Sequence, residues 1–259
     1  MNGVDISHYQ RGLTIRQIRE AGKDFAVIKL TEGDRLVDSA AFGFYREAYA
    51  LGFPVGCYCY SHALSEEEAA AEAAFLLDTL RGFPMPCGVF LDVEEAEQLA
   101  LPRERLLALV RAWCAGIRAG GCIPGVYGSA GTLWAKLRPD ELPEDCLVWV
   151  AKWGGAPPSF PCDLWQTGDS GRIEGYGGSV DTDEARSERF EALVKGASRP
   201  QPHTAVTAPP KGEPRPDPGI MVLQLLMKHY GFWDTADGIG SAAFFSALRA
   251  FTDRLEGEQ

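Results

Sequence analysis

Through residues 1–195 short apolar runs alternate with longer amphipathic stretches. Residues 4–7, 26–30, 55–60, 88–94, 125–127, 147–153, 163–166 and 179–181 are apolar, β-rich segments, and each is predicted as a strand. Helical periodicity is clearest over 66–80 and 103–119. The second stretch has Pro102 at its start and Gly120-Gly121 past its end, which are start and stop signals. Continuous apolar strands separated by helices imply a mostly parallel sheet buried on both faces. Eight such strands predict an α/β fold, an irregular β/α barrel whose last three strands are joined by loops rather than full helices.

The pattern breaks near residue 196. Residues 196–218 hold seven of the 17 prolines and almost no large apolar residue, the composition of a partly extended linker. Residues 219–259 return to apolar helical runs at 220–229 and 242–255, divided by Gly231 and the D-G-I-G turn at 237–240. This small α-helical module has about 40 residues, near the lower limit for independent folding, so it needs a partner surface. The predicted layout is therefore a barrel over 1–195, a linker over 196–218 and a helical module over 219–259.

Composition narrows the possibilities. With 46% hydrophobic and 24% charged residues the chain is globular. Its net charge is −11, and residues 1–195 carry 29 acids against 19 bases, so the acidity belongs to the barrel. That balance argues against a nucleic-acid or anionic-membrane binder. No apolar run approaches the ~20 residues that span a bilayer, and no basic and apolar leader opens the chain. The expectation is synthesis in the cytoplasm without an export signal, and no membrane span. Seven cysteines, mostly in apolar runs, read as reduced core thiols. His8, His62, His203 and His229 are scattered, and Cys57-x-Cys59 has no second pair at zinc spacing, so neither a metal nor a cofactor is expected.

In a β/α barrel catalytic groups sit at the C-terminal ends of the strands. Asp5, Asp92, Glu94 and Asp181 fit that place. Asp92-Val93-Glu94 is the most informative triplet, because residues i and i+2 of a strand share a face and both carboxylates enter one pocket. Two carboxylates held close ionise in turn, one remaining a proton donor while its neighbour is anionic, which is what glycoside hydrolysis requires. Tyr58, Tyr60, Tyr127, Trp149, Trp153 and Trp165 lie in the same strand-end segments. They serve either as barrel core or as platforms for sugar faces, and Gln166 offers an amide to hydroxyls and acetamides. Tyr58 and Tyr60 share a strand face, so either is a sugar contact. Lys29 and Glu32 in K-L-T-E-G form a supporting ion pair or a substrate contact, while Glu95 and Glu97 read as surface charges.

The segments GVDISHYQ, FAVIKLTEG, VGCYCYSHA, VFLDVE, GVYGS, LVWVAKW, DLWQTG and SVDTDEA occur in the order and at the spacing of glycoside hydrolase family 25. Over residues 2–191 the chain resembles these lysozymes, the Chalaropsis-type muramidases found as phage endolysins and bacterial autolysins. The resemblance implies a flattened β/α barrel that cleaves the β-1,4 bond between N-acetylmuramic acid and N-acetylglucosamine in peptidoglycan glycan strands, acting on the cell wall after release. It makes Glu94 the general acid/base, and Asp92 a stabiliser of the reaction centre that orients the substrate's acetamido group. Asp5 and Asp181 match the remaining pocket acids, and Tyr58 and Tyr127 the pocket tyrosines. The run DTDEARSERFE departs from the family pattern in its charge, which leaves Asp183 outside the expected contacts. The tail is similar to the start of a three-helix peptidoglycan-binding domain. Wall binding and association into a homodimer both remain open for it, as does a noncatalytic glycan-binding role for the barrel.

Overall fold

The computed structural model describes residues 1–80, 83–197 and 247–248. The chain divides into two compact units, Met1–Pro200 and Gln201–Gln259. Nine strands form in the first unit: β1 (Asn2–Ile6), β2 (Phe25–Glu32), β3 (Leu36–Val37), β4 (Val55–Tyr60), β5 (Val89–Asp92), β6 (Pro124–Ser129), β7 (Leu147–Ala151), β8 (Leu164–Gly171) and β9 (Val180–Ala185). All eight predicted strands are among them. The added β3 is a two-residue strand pairing antiparallel with β2. Strand order β1-β9-β8-β7-β6-β5-β4-β2-β3 closes through a further β1–β2 pairing into an eight-stranded barrel. Around the barrel the pairings β1–β2, β2–β4, β4–β5, β5–β6, β6–β7 and β7–β8 are parallel, while β9 runs antiparallel to both β8 and β1.

Among the described residues of the first unit, seven α-helices accompany the strands: α1 (Ile15–Glu20), α2 (Ala41–Leu51), α3 (Glu66–Thr79), α4 (Ala96–Ala100), α5 (Arg103–Ala119), α6 (Leu133–Lys136) and α7 (Glu188–Ala197). Helix α2 buries Ala41, Phe44, Tyr45 and Ala48, the i, i+3, i+4, i+7 stripe of a surface helix. It has no side-chain N-cap and ends at Gly52, which adopts the left-handed conformation at φ 59°. Helix α7 extends two residues into the stretch assigned to the linker. The rest of that linker and, but for 247–248, the helical module and its expected dimer contact lie outside the described residues. Among the described residues no helix is long and apolar enough to cross a membrane. All seven cysteines carry free thiols, five of them buried.

Alternation along the strands sorts the side chains. Phe25, Val27, Phe90, Tyr127, Leu147, Trp149, Ala151 and Leu164 form one packed cluster, joined by Phe190 and Val194 of α7. Phe25 meets Phe190 edge-on with ring centroids 5.1 Å apart, so α7 covers the barrel at the N-terminal ends of its strands. A clasp holds it there: buried Asp163 accepts from the Val148 amide at 2.8 Å, Ser187 Oγ at 2.6 Å and Arg189 Nε at 2.6 Å. The interior also depends on missing side chains. A Cβ at Gly125 would lie 2.3 Å from the Phe90 ring, which is itself fully buried. Gly125→Ala is therefore expected to destabilise the barrel by about 1–3 kcal/mol through overpacking, read as a lower urea midpoint at unchanged slope.

Candidate active site

At the opposite end, where the parallel strands finish, the interior becomes polar. Asp5 on β1 stands across from Asp181 on β9 in strand register. Tyr60 on β4 and Tyr127 on β6 flank Asp92 on β5 in the same way. Strand β5 ends at Asp92, so Glu94 lies just beyond it rather than within it as the sequence suggested. The extended course persists for one more residue, because the Val93 amide still donates to the Tyr127 carbonyl at 3.1 Å. Asp92 and Glu94 accordingly remain in each other's electrostatic field. Asp92 is buried, whereas Glu94 is open to solvent.

The environments of these two acids differ. Burial, then the charge of Glu94, pushes the Asp92 carboxyl well above its ordinary range, with Lys29 pulling the other way. Glu94 is raised by loss of water around its carboxyl end and then by Asp181, and the Tyr127 hydroxyl partly offsets this by favouring the carboxylate. That hydroxyl also lies 2.9 Å from Gln166 Oε1, so its single proton has two acceptors to choose between.

Gln166 organises the far side. Its Oε1 accepts from Tyr127 and, at 2.9 Å, from Trp153 Nε1, an indole that can only donate. This fixes the amide so that Nε2 donates to Asp5 at 2.8 Å and reaches Asp181 at 3.5 Å. Asp183, two residues after Asp181 on the same face, completes a triad of acids and accepts from Trp149 Nε1 at 2.8 Å. Its other oxygen is buried without a donor. Burial is the first cause of the raised values here, which reach about 6 for Asp181 and about 7 for Asp183. Asp5 is raised well above its ordinary range by burial and then by Asp183 and Asp181. Three acids in one dry corner thus keep protons that a solvated carboxylate would release. Among the described residues no three His, Cys, Asp or Glu side chains are grouped as metal ligands would be.

Lys29 and Glu32 form an ion pair at 2.7 Å, although positions i and i+3 of a regular strand face opposite ways. The β2–β4 register explains it: Lys29 pairs with Tyr58 and Thr31 with Cys59, so Leu30 is an extra residue in a bulge. Lys29 Nζ also lies 4.9 Å from the centre of the Tyr60 ring. Glu95, expected as a plain surface charge, is 3.4 Å from His62 Nδ1.

Of the expected site residues, Asp5, Asp92, Glu94, Asp181, Tyr58, Tyr60, Tyr127, Gln166, Lys29 and Glu32 converge on this end of the barrel. Two corrections concern tryptophans. Trp149 is 1% exposed and packs against Tyr127, Phe90 and Tyr58. It has no free face for a sugar and supports the floor of the pocket. Trp165 neighbours inward-pointing Gln166 and so projects to the outer face, where it donates to the Lys152 carbonyl at 2.8 Å and lies beside Arg186. Asp183 is the residue the sequence reading missed. Its signal was the period of two that places 181 and 183 together, hidden inside a charged run.

Comparison with known proteins gives this pocket a context. The model of glycosyl hydrolases family 25 matches residues 4–176. The chain is 28% identical over 186 residues to an autolytic lysozyme of Clostridium acetobutylicum, covering 71% of this chain and 55% of that one, about half its length. It is 26% identical to lysozyme M1 of Streptomyces globisporus over 75% of this chain and 70% of the other. Among solved structures it is similar to the catalytic domain of endolysin ply40, from a bacteriophage of Listeria monocytogenes, with a TM-score of 0.65 and 26% identity over 75% of this chain and 97% of that one. The bacterial lysozyme of Streptomyces coelicolor shares the fold, with a TM-score of 0.61 and 24% identity over 76% and 98% of the two chains. With a family match that runs from the first strand past the eighth, the chain belongs to glycosyl hydrolases family 25.

Proposed function

We propose that the barrel is a muramidase that hydrolyses the β-1,4 bond between N-acetylmuramic acid and N-acetylglucosamine in peptidoglycan, serving cell lysis or wall remodelling. One observation carries this reading: a solvent-reachable acid, Glu94, and a buried acid, Asp92, stand together where the parallel strands finish, and both are held toward their protonated forms by loss of water. A pair sharing one proton supplies a donor and an anion together, and Lys29 favours the anion on Asp92.

In this mechanism Glu94 gives its proton to the glycosidic oxygen as the bond to the anomeric carbon breaks. Asp92 stabilises the positive charge that develops and orients the acetamido group at carbon 2, whose carbonyl oxygen bonds to the anomeric carbon. Glu94, now a carboxylate, takes a proton from the water that opens this cyclic intermediate, and so returns to its starting state. Participation of the acetamide takes the reaction outside the two-carboxylate scheme, and the separation of the acids then does not set the stereochemistry. Gln166 and the Asp5–Asp181–Asp183 triad line the side from which the sugar's polar groups are gripped.

Digestion of purified peptidoglycan, followed by borohydride reduction and mass spectrometry of the fragments, tests the reading. Reduced muramic acid ends are expected. Reduced glucosamine ends or newly freed peptide amines would refute it, and binding without new ends would mark a noncatalytic glycan binder.

A further inference from the structure

We propose that Cys114 and Cys146 form a modification site, at which hydrogen peroxide joins the two thiols into a disulfide that braces α5 against the start of β7. The inference is independent of the muramidase reading, because β7 begins at the end of the barrel opposite Glu94. Cys114 lies on the buried face of α5, and Cys146 stands immediately before β7. Both thiols are buried, with one Sγ 3.6 Å from the other. A disulfide needs roughly 2.0 Å, so rotation about the two χ1 bonds has to bring the sulfurs closer by about 1.6 Å.

The two elements are already fastened beside the sulfurs. Arg118 comes four residues after Cys114 and so lies on the same side of α5. It grips Asp145, the residue before Cys146, through Nη2 and, at 2.6 Å, through Nε. From α7, Arg189 Nη1 donates to the Glu144 carbonyl at 2.7 Å and Nη2 to the Cys146 carbonyl at 2.8 Å. The backbone that carries Cys146 is thus held by two arginines from two helices. The thiols stay neighbours, and closing the bond between them is an intramolecular step.

Cys146 also lines a groove of about 800 Å³ with Trp134, Phe160 and Cys162, whereas Cys114 is wholly buried. A small oxidant therefore meets Cys146 first. The Cys146 thiolate attacks one oxygen of the peroxide and the O–O bond breaks. Sulfenic acid forms on Cys146, and the departing hydroxide leaves as water with the proton the thiol gave up. The Cys114 thiolate then attacks Cys146 Sγ, the S–O bond breaks, and hydroxide departs with the Cys114 proton as a second water. Two sulfurs have lost two electrons to one peroxide. Contact with Cys114 and burial push the Cys146 thiol up, with Arg189 opposing, so thiolate is scarce and closure is slow. The pair stays reduced in a reducing compartment and closes under lasting exposure to peroxide.

The experiment holds the full-length protein in hydrogen peroxide, unfolds it with alkylation of the remaining thiols, and digests it with trypsin without reduction. Cleavage leaves Cys114 alone in fragment 112–118, Cys146 alone in 137–152 and Cys162 alone in 153–172. The first two fragments are expected joined, lighter than their sum by two hydrogens, and separated again by dithiothreitol. Fragment 137–152 joined to 153–172 instead would overturn the proposal. So would recovery of Cys114 and Cys146 as separate fragments, whether alkylated or carrying sulfinic acid. The bond encloses 31 residues, and the linked protein is expected to melt about 5–10 °C above the reduced one. Cys114→Ala should lose both the joined fragment and the gain in melting temperature, and Cys146→Ala repeats that control from the other side. A linked protein that melts no higher than the reduced one would overturn the bracing role.

Discussion

Glu94→Gln is expected to lower turnover on peptidoglycan by about 10²–10⁴-fold, the range that a positioned general acid/base contributes. Glutamine keeps the shape of the side chain and, through Oε1, an acceptor for the Tyr127 hydroxyl, but it has no acidic proton to give the leaving oxygen. The fold should not suffer. Glu94 is open to solvent and its charge is one of the causes that push the Asp92 carboxyl upward, so its neutralisation relieves a repulsion. Stability is expected to stay within about 0.5 kcal/mol of wild type. Binding of glycan fragments should persist because Gln166, Tyr127 and the triad of acids are unaltered. Release of reducing ends at a rate within tenfold of wild type would remove Glu94 from the general-acid role.

The second large effect is on stability against pH. In an unfolded chain aspartates titrate near 3.9, whereas in the barrel Asp181 rises to about 6, Asp183 to about 7 and Asp5 well above its ordinary range. Between those limits the folded protein binds protons that the unfolded chain has released. The stability these groups contribute is complete below the unfolded value and is lost as pH climbs through the folded ones. The barrel is therefore expected to be more stable at pH 5 than at pH 8, by on the order of 3 kcal/mol. Asp183→Asn should flatten this slope and raise the melting temperature at pH 8. Its amide can still accept from Trp149 and can donate where the carboxylate left a buried oxygen without a partner. Urea denaturation at the two pH values checks both statements. A barrel that gains stability from pH 5 to 8 would contradict the raised values.

The barrel was legible because burial on two faces turns the parallel strands into apolar runs, clearest at β2 and β7, whereas β9, with the sequence VDTDEA, is only partly buried. Helix α2 was not, since Phe42, Tyr49 and Leu51 blur the stripe formed by Phe44, Tyr45 and Ala48, and no polar residue caps it. Helix α7 was hidden because only Phe190 and Val194 are buried in a segment otherwise charged. The site followed the same logic. Asp5, Asp92, Glu94 and Asp181 could be found because acids at strand ends stand out against apolar runs. Asp183 stood among other charges and so looked solvated, while Trp149 and Trp165 looked available because an aromatic residue gives no sign of which face it occupies. Glu95 became a partner of His62 through a contact between two loops, which no local pattern encodes.

The bulge at Leu30 bears on how chains of this kind are compared. Lys29 and Glu32 are three residues apart on β2, yet their partners on β4, Tyr58 and Tyr60, are two apart. Strand β2 has absorbed an additional residue without changing which side chains look into the pocket. A relative with one residue fewer there would present the same lysine and glutamate from an unbulged strand. A motif defined by a fixed number of intervening residues would pass over it. Distance counted along the chain and distance measured across the barrel diverge here by one residue, and the chemistry follows the second.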